Sequence, residues 1–149
     1  MIILFTSCDK FSFSKNKNNQ QTVDTIVIFS SVDTSPSFKI CDSIIDKNKK
    51  TDCFRTSIHQ EIGVELSQFS FSVKDSISEI IYVDLIINSK GEIVLDKIKS
   101  PENIKIALPE LDSLLKVSVN SLPNIYPAIK RGIPVTTKYT LPIKIELTE

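Results

Sequence analysis

Two cysteines, Cys41 and Cys53, flank a charged, lysine-rich stretch that also carries Asp46 and Asp52. In an exported protein such a pair reads first as a disulfide, which for a loop of this size would contribute about 3 kcal/mol. Free thiols are the other reading. A metal centre would need more ligands, and the chain's one histidine, His59, falls off the apolar stripe of its helix. Asp84, set inside an apolar run, and Asp46 with Asp52 are the carboxylates to weigh for acid–base work. General acid–base or nucleophilic catalysis needs a partner that tunes and orients the reacting group, and none is evident beside them. The chain has no Gly-x-Ser-x-Gly elbow, and three glycines cannot supply a phosphate-cradling loop. The expectation is a non-catalytic protein with no cofactor and no metal.

Cys8 stands apart from this pair. It ends the run Met-Ile-Ile-Leu-Phe-Thr-Ser-Cys, a short apolar stretch closed by two small residues. This resembles a bacterial lipobox, whose cysteine is lipidated and becomes the new N-terminus. The apolar run is shorter than the roughly 7 to 15 residues usual for such a segment, and no basic region precedes it. Residues 1–8 are expected to be a truncated lipoprotein signal, the other reading being that Cys8 is an ordinary cysteine near a ragged end. Such a signal would place the protein in the cell envelope, on the periplasmic side, held to the membrane through Cys8. No stretch approaches the roughly twenty apolar residues that would span a bilayer. Lys and Arg number 18 against 18 Asp and Glu, and the basic residues are mostly scattered lysines, so nucleic acid is not the expected partner. The cluster Lys47, Lys49 and Lys50 lies among acids and amides and reads as a solvated turn.

With 149 residues and 41% hydrophobic content the chain has room for one modest core. Residues 9–35 read as a flexible tether, since Asp9 to Thr22 is rich in Ser, Lys, Asn and Gln with only two isolated phenylalanines. Residues 25–32 are β-rich enough for a short strand, and Ser35-Pro36-Ser37 marks a break. Residues 36–149 are expected to form the domain. Thr51 and Asp52 suit the N-cap of a helix running to about Leu66, with Phe54, Ile58, Ile62 and Leu66 on one apolar stripe. Ile77 to Ile87 is a strongly apolar strand. Asn88-Ser89-Lys90-Gly91 then offers a hairpin turn with Gly91 at positive φ, and Glu92 to Lys99 returns. Pro109 and Glu110 open a second helix with Leu111, Leu114, Leu115, Ser118, Val119 and Leu122 on one side, stopping before Pro123.

The last sixteen residues, Pro134 to Glu149, alternate. Val135, Thr137, Tyr139, Leu141, Ile143, Ile145 and Leu147 take one parity, and mostly polar residues take the other, as a half-buried strand requires. Pro142 has no N–H to give to a ladder, which predicts an edge strand. An edge strand is a docking surface unless something protects it.

The C-terminal half resembles the C-terminal domain of TonB-type proteins. The specific part is Leu122-Pro123-x-x-x-Pro127-Ala128-x-x-Arg131-Gly132-x-Pro134-Val135-x-x-x-Tyr139-x-Leu141-Pro142-Ile143, supported by Gly91-Glu92-Ile93 and Leu111-Asp112. Upstream, Pro36-x-Phe38-x-x-Cys41 with Cys53-Phe54-x-x-x-Ile58 is similar to the segment before that domain in Bacteroidetes-like homologues. The matches cover residues 36 to 147. The resemblance implies an α+β fold, a small three-stranded antiparallel sheet packed against two helices in the order helix-strand-strand-helix-strand. It also implies capture of an extended TonB-box peptide of an outer-membrane receptor by strand addition. Energy transduction in that family rests on an N-terminal transmembrane helix and a proline-rich spacer, which are not among these residues. Two further departures stand out: Ile125 replaces the usual aromatic, and Asp96 replaces an apolar residue of the returning strand, where Leu95-Asp96-Lys97 suits a bulge.

The expected function is therefore protein or peptide binding in the envelope, through the last strand. Val135, Thr136, Lys138, Thr140, Lys144 and Glu146 are the expected partner-facing residues. Arg131, in the turn before them, reads as solvated or as facing an acidic partner. The competing expectation is a structural or assembly lipoprotein whose edge is covered by residues 25–32 or by a second copy in a homodimer.

Overall fold

The computed structural model describes residues 26–148; Cys8 and the expected tether before Ile26 lie outside the described residues. Helix α1 spans Lys47–Ser67 and starts at Asp46, whose carboxylate accepts the Lys49 N–H at 2.9 Å. Sequence alone favours a start at Thr51 and Asp52. Both lie inside the helix, because an aspartate one turn earlier already satisfies an orphan N–H. The lysine cluster expected as a solvated turn is thus the helix's first turn, and Lys47 Nζ donates to the Val32 carbonyl at 2.6 Å. Phe54, Ile58 and Ile62 are buried as the four-residue repeat requires, with Leu66 packed partly against them.

The strands are β1 (Ile26–Val27), β2 (Ile77–Ile87), β3 (Ile93–Lys99), β4 (Ala128–Lys130) and β5 (Ile133–Leu147). The expected three-stranded antiparallel sheet is corrected to a mixed five-stranded one of order β1-β5-β2-β3, with β4 paired to the start of β5. Two short segments make the difference. β1 adds in parallel, Ile26 beside Thr136 and Val27 beside Thr137. β4 forms a hairpin with β5 across Arg131 and Gly132, which have φ of 52° and 75°. Positive φ at both central residues is the turn whose twist matches its flanking strands. β2 and β3 form the expected hairpin, with Gly91 at φ 80°. Asp84 pairs with Lys97 and Leu85 with Leu95, so Asp96 is the extra residue of the expected bulge.

A short helix, α2 (Glu102–Ala107), follows β3 and was not expected; six residues after a proline, with Ile104 alone buried, carry no periodic signal. Helix α3 (Leu111–Asn120) buries Leu111, Leu115, Ser118 and Val119, the side expected. Ser35-Pro36-Ser37 is more than a break, since Thr34 bridges Ile129 and Ser37 bridges Tyr126.

The core lies between the helices and one face of the sheet. Ile81, Val83, Leu85 and Ile87 of β2 and Tyr139 and Leu141 of β5 point inward and are buried, while Ile80, Tyr82, Lys138 and Thr140 point outward. Ile125 is buried in the same core and leaves Tyr126 outside. Phe54 is its centre, with the rings of Tyr139 at 5.2 Å, Phe29 at 5.8 Å and Phe38 at 6.0 Å. One polar atom there is unsatisfied: the Thr137 hydroxyl is buried without a hydrogen-bond partner. Thr137→Val keeps the shape and removes the desolvated hydroxyl, so urea unfolding should show it unchanged or stabilised by about 1 kcal/mol. A loss of that size would mean the hydroxyl has a partner.

Candidate functional site

The feature that can do something is the open side of β5. Thr137 has β2 on one side, through Ile87, and β1 on the other, through Val27. From Thr137 to Leu147 the strand stays paired with β2. On β1's side, no described strand pairs with β5 from Lys138 to Leu147. Pro142 sits opposite Tyr82 inside an unbroken ladder. A proline is tolerated there when its donorless nitrogen faces away from the ladder. Because N–H direction alternates along a strand, the N–H groups of Lys138, Thr140, Lys144 and Glu146 then face the open side too. The edge expected over the whole strand is thus corrected: it is covered over its first part and has no second neighbouring strand from Lys138 on, where the turn Phe29–Ser31 packs beside Tyr139.

The expected partner-facing residues separate accordingly. Val135 pairs with Ala128 of β4 and Thr136 with Ile26 of β1, so both lie where the chain's own segments already add. Arg131 is exposed in the turn, and its backbone N–H donates to Asp33 Oδ2 at 2.7 Å. Lys138, Thr140, Lys144 and Glu146 lie together on the open stretch, with their side chains on the outward face of the sheet. Lys144 and Glu146 form an ion pair at 2.7 Å. Cys8 lies outside the described residues.

Beside this stretch a buried carboxylate ties three strands together. Thr140 Oγ1 donates to Asp84 Oδ1 at 2.7 Å, and Lys99 and Lys138 stand 3.7 Å and 3.6 Å from Oδ2. Lys138 also meets Asp96, the bulge residue, at 3.2 Å. Burial alone would raise the Asp84 pKa; the Thr140 hydroxyl and then the two ammonium groups outweigh it and hold the carboxyl below its ordinary value of 3.8. The Asp96 hydrogen bond, aided by Asp84, holds Lys138 above its ordinary value. These contacts hold the carboxylate ionised and anchor it between the three strands. Sequence offered one sign of them, an aspartate inside an apolar strand. The lysines that answer it are distant in the chain and appeared as scattered surface charge.

A carboxylate with a depressed folded pKa contributes stability above its unfolded pKa and loses it as pH falls through the folded one. Stability measured by urea unfolding should therefore decline below about pH 4. Asp84→Asn keeps an acceptor for Thr140 and should flatten that decline; an unchanged acid limb would show that Asp84 is not its source.

Cys41 and Cys53 form a disulfide, Cα atoms 5.9 Å apart, that pins a turn of 3-10 helix at Lys39–Cys41 to the second turn of α1. Reduction, or replacement of both cysteines by serine, should lower stability by about 3 kcal/mol, read by denaturant unfolding with and without reductant. Equal midpoints in both conditions would contradict a structural role. His59 is exposed, and no group of three or more His, Cys, Asp or Glu side chains suited to a metal occurs among the described residues. No described helix is long and apolar enough to cross a membrane.

No family model, curated protein or solved structure matches this chain.

Proposed function

We propose that this protein is a non-catalytic, TonB C-terminal-like binding domain of the cell envelope that captures an extended peptide segment by strand addition to β5. The single observation that carries the reading is the run Lys138–Leu147, paired with β2 on one side and with no described strand on the other. β1 supports it as well: the chain's own Ile26–Val27 adds on that same side, so the outer groups of β5 accept a strand. An incoming strand would continue from where β1 leaves off. Four outward N–H groups interrupted by Pro142 limit the hydrogen bonds gained to a handful, each contributing about 1 kcal/mol net. Ordering and association losses consume much of that. Binding is weak and reversible, which suits an exchangeable partner.

The disulfide supports an oxidising compartment, the periplasm, and the lipobox-like Cys8 supports attachment to a membrane. Titrating TonB-box-like peptides into labelled protein while recording amide shifts tests the binding reading. Shifts should map to 138–147. Saturating peptide without shifts there sinks it. A structural role is the second reading, favoured by β1, which already covers Thr136 and Thr137. In that case the edge would be closed in the protein alone.

A further inference from the structure

The outward face of the sheet carries a second surface, one strand in from the β5 edge, where Ile80 and Tyr82 lie opposite Lys144 and Pro142. Between β2, the end of β3 and α2 lies an open groove of about 480 Å³, floored by Ile80 and Tyr82 and rimmed by Lys97, Lys99, Pro101 and Lys105. Ile80 and Tyr82 are 48% and 46% exposed, unusual for two large side chains of one central strand. Lys99 shares Asp84 with Lys138, whereas Lys97 and Lys105 have no ion-pair partner among the described residues. Asp84 and Asp96 are both engaged by lysine, Glu79 accepts from Asn103 of α2 at 3.0 Å, and Glu102 is the one acid of α2. The rim is therefore net positive over an apolar floor.

We infer that this groove docks an acidic, extended segment of a protein partner, with carboxylates set beside an aliphatic or aromatic side chain. The apolar residue covers Ile80 and Tyr82, and the carboxylates meet Lys97, Lys105 and the exposed flank of Lys99. Charge complementarity of this kind selects the partner and speeds encounter. The apolar floor is only two side chains wide and is bordered by lysines, which suits one apolar side chain flanked by carboxylates better than a lipid surface. Lysines without arginines, and with acids interleaved, disfavour a phosphate backbone. The inference stands independently of the β5 reading, since Lys105 belongs to a different part of the fold.

The full chain, isotopically labelled, is titrated with a short peptide of alternating Glu and Leu, with its Lys and Leu twin, and with vesicles containing anionic phospholipid. The acidic peptide should shift signals of Tyr82, Lys97, Lys99 and Lys105, and Lys97→Glu with Lys105→Glu should weaken it about tenfold. Tyr82→Ser, which removes the floor but keeps the charges, should weaken it as well; an unchanged core spectrum confirms that either variant is folded. Equal binding of the basic twin, or response to vesicles alone, overturns the inference. Shifts confined to 138–147 with Lys105 silent overturn it too, while leaving strand addition at β5 in place.

Discussion

Gly91→Ala should lower stability by about 4 kcal/mol or more, leaving little folded protein at moderate temperature. A Cβ built at Gly91 would lie 1.7 Å from the Ile125 carbonyl oxygen and 2.9 Å from its carbon, both backbone atoms that cannot rotate away. The approach is structural: Ile125 N–H donates to the Gly91 carbonyl and Gly91 N–H to that of Asn88, each at 2.9 Å. One residue thus closes the β2–β3 turn and fastens it to the chain entering β4. The φ of 80° adds a second penalty that any L side chain meets. Gly63→Ala is the control. Nothing lies within 4 Å of a Cβ there, and the residue is inside α1, so that change should stabilise by about 0.5 to 1 kcal/mol. Thermal melts of the two variants should move in opposite directions; a Gly91→Ala melt near that of the parent would mean the two loops are not packed as described.

Phe54→Ala should cost about 3 to 5 kcal/mol. Phe54 is fully buried, and it is the ring that Tyr139, Phe29 and Phe38 all face. These three come from β5, from the turn after β1 and from the residue before the disulfide turn. Removing the ring therefore opens a cavity where the last strand, the N-terminal segment and α1 meet, and backbone on three sides resists collapse into it. The change also bears on the proposed function, because Phe29 packs on Tyr139 beside the segment that places β1 on β5. We expect its urea midpoint to fall furthest of the buried single-ring truncations, while a loss below about 1 kcal/mol would place the core elsewhere.

Long, regular elements were legible in the sequence for a physical reason. β2 and β5 alternate over eleven and fifteen residues, and α1 repeats an apolar residue every four, so each periodicity outlasts chance. Gly91 and Asp96 were legible too, as residues that suit only a turn and a bulge. What escaped was short or non-local. α2 is six residues long, β1 two and β4 three, and each is held by its neighbours rather than by its own pattern. The helix start was misplaced because Asp46 and Asp52 are equally good caps locally, and the tertiary fit of Lys47 to Val32 favours the first. The candidate site was legible only in part. Pro142 announced an edge, but nothing in the sequence said that β1 and β4 would occupy the strand's beginning and leave Lys138 onward without a second neighbouring strand.

Amide hydrogen exchange on the isolated protein tests that opening most directly. The N–H groups of Lys138, Thr140, Lys144 and Glu146 should exchange rapidly while those of Tyr139, Leu141 and Ile143, turned toward β2, stay protected. Slow exchange at both sets in the isolated chain would mean that the strand is bonded on its two sides, and strand addition there would have no place to occur.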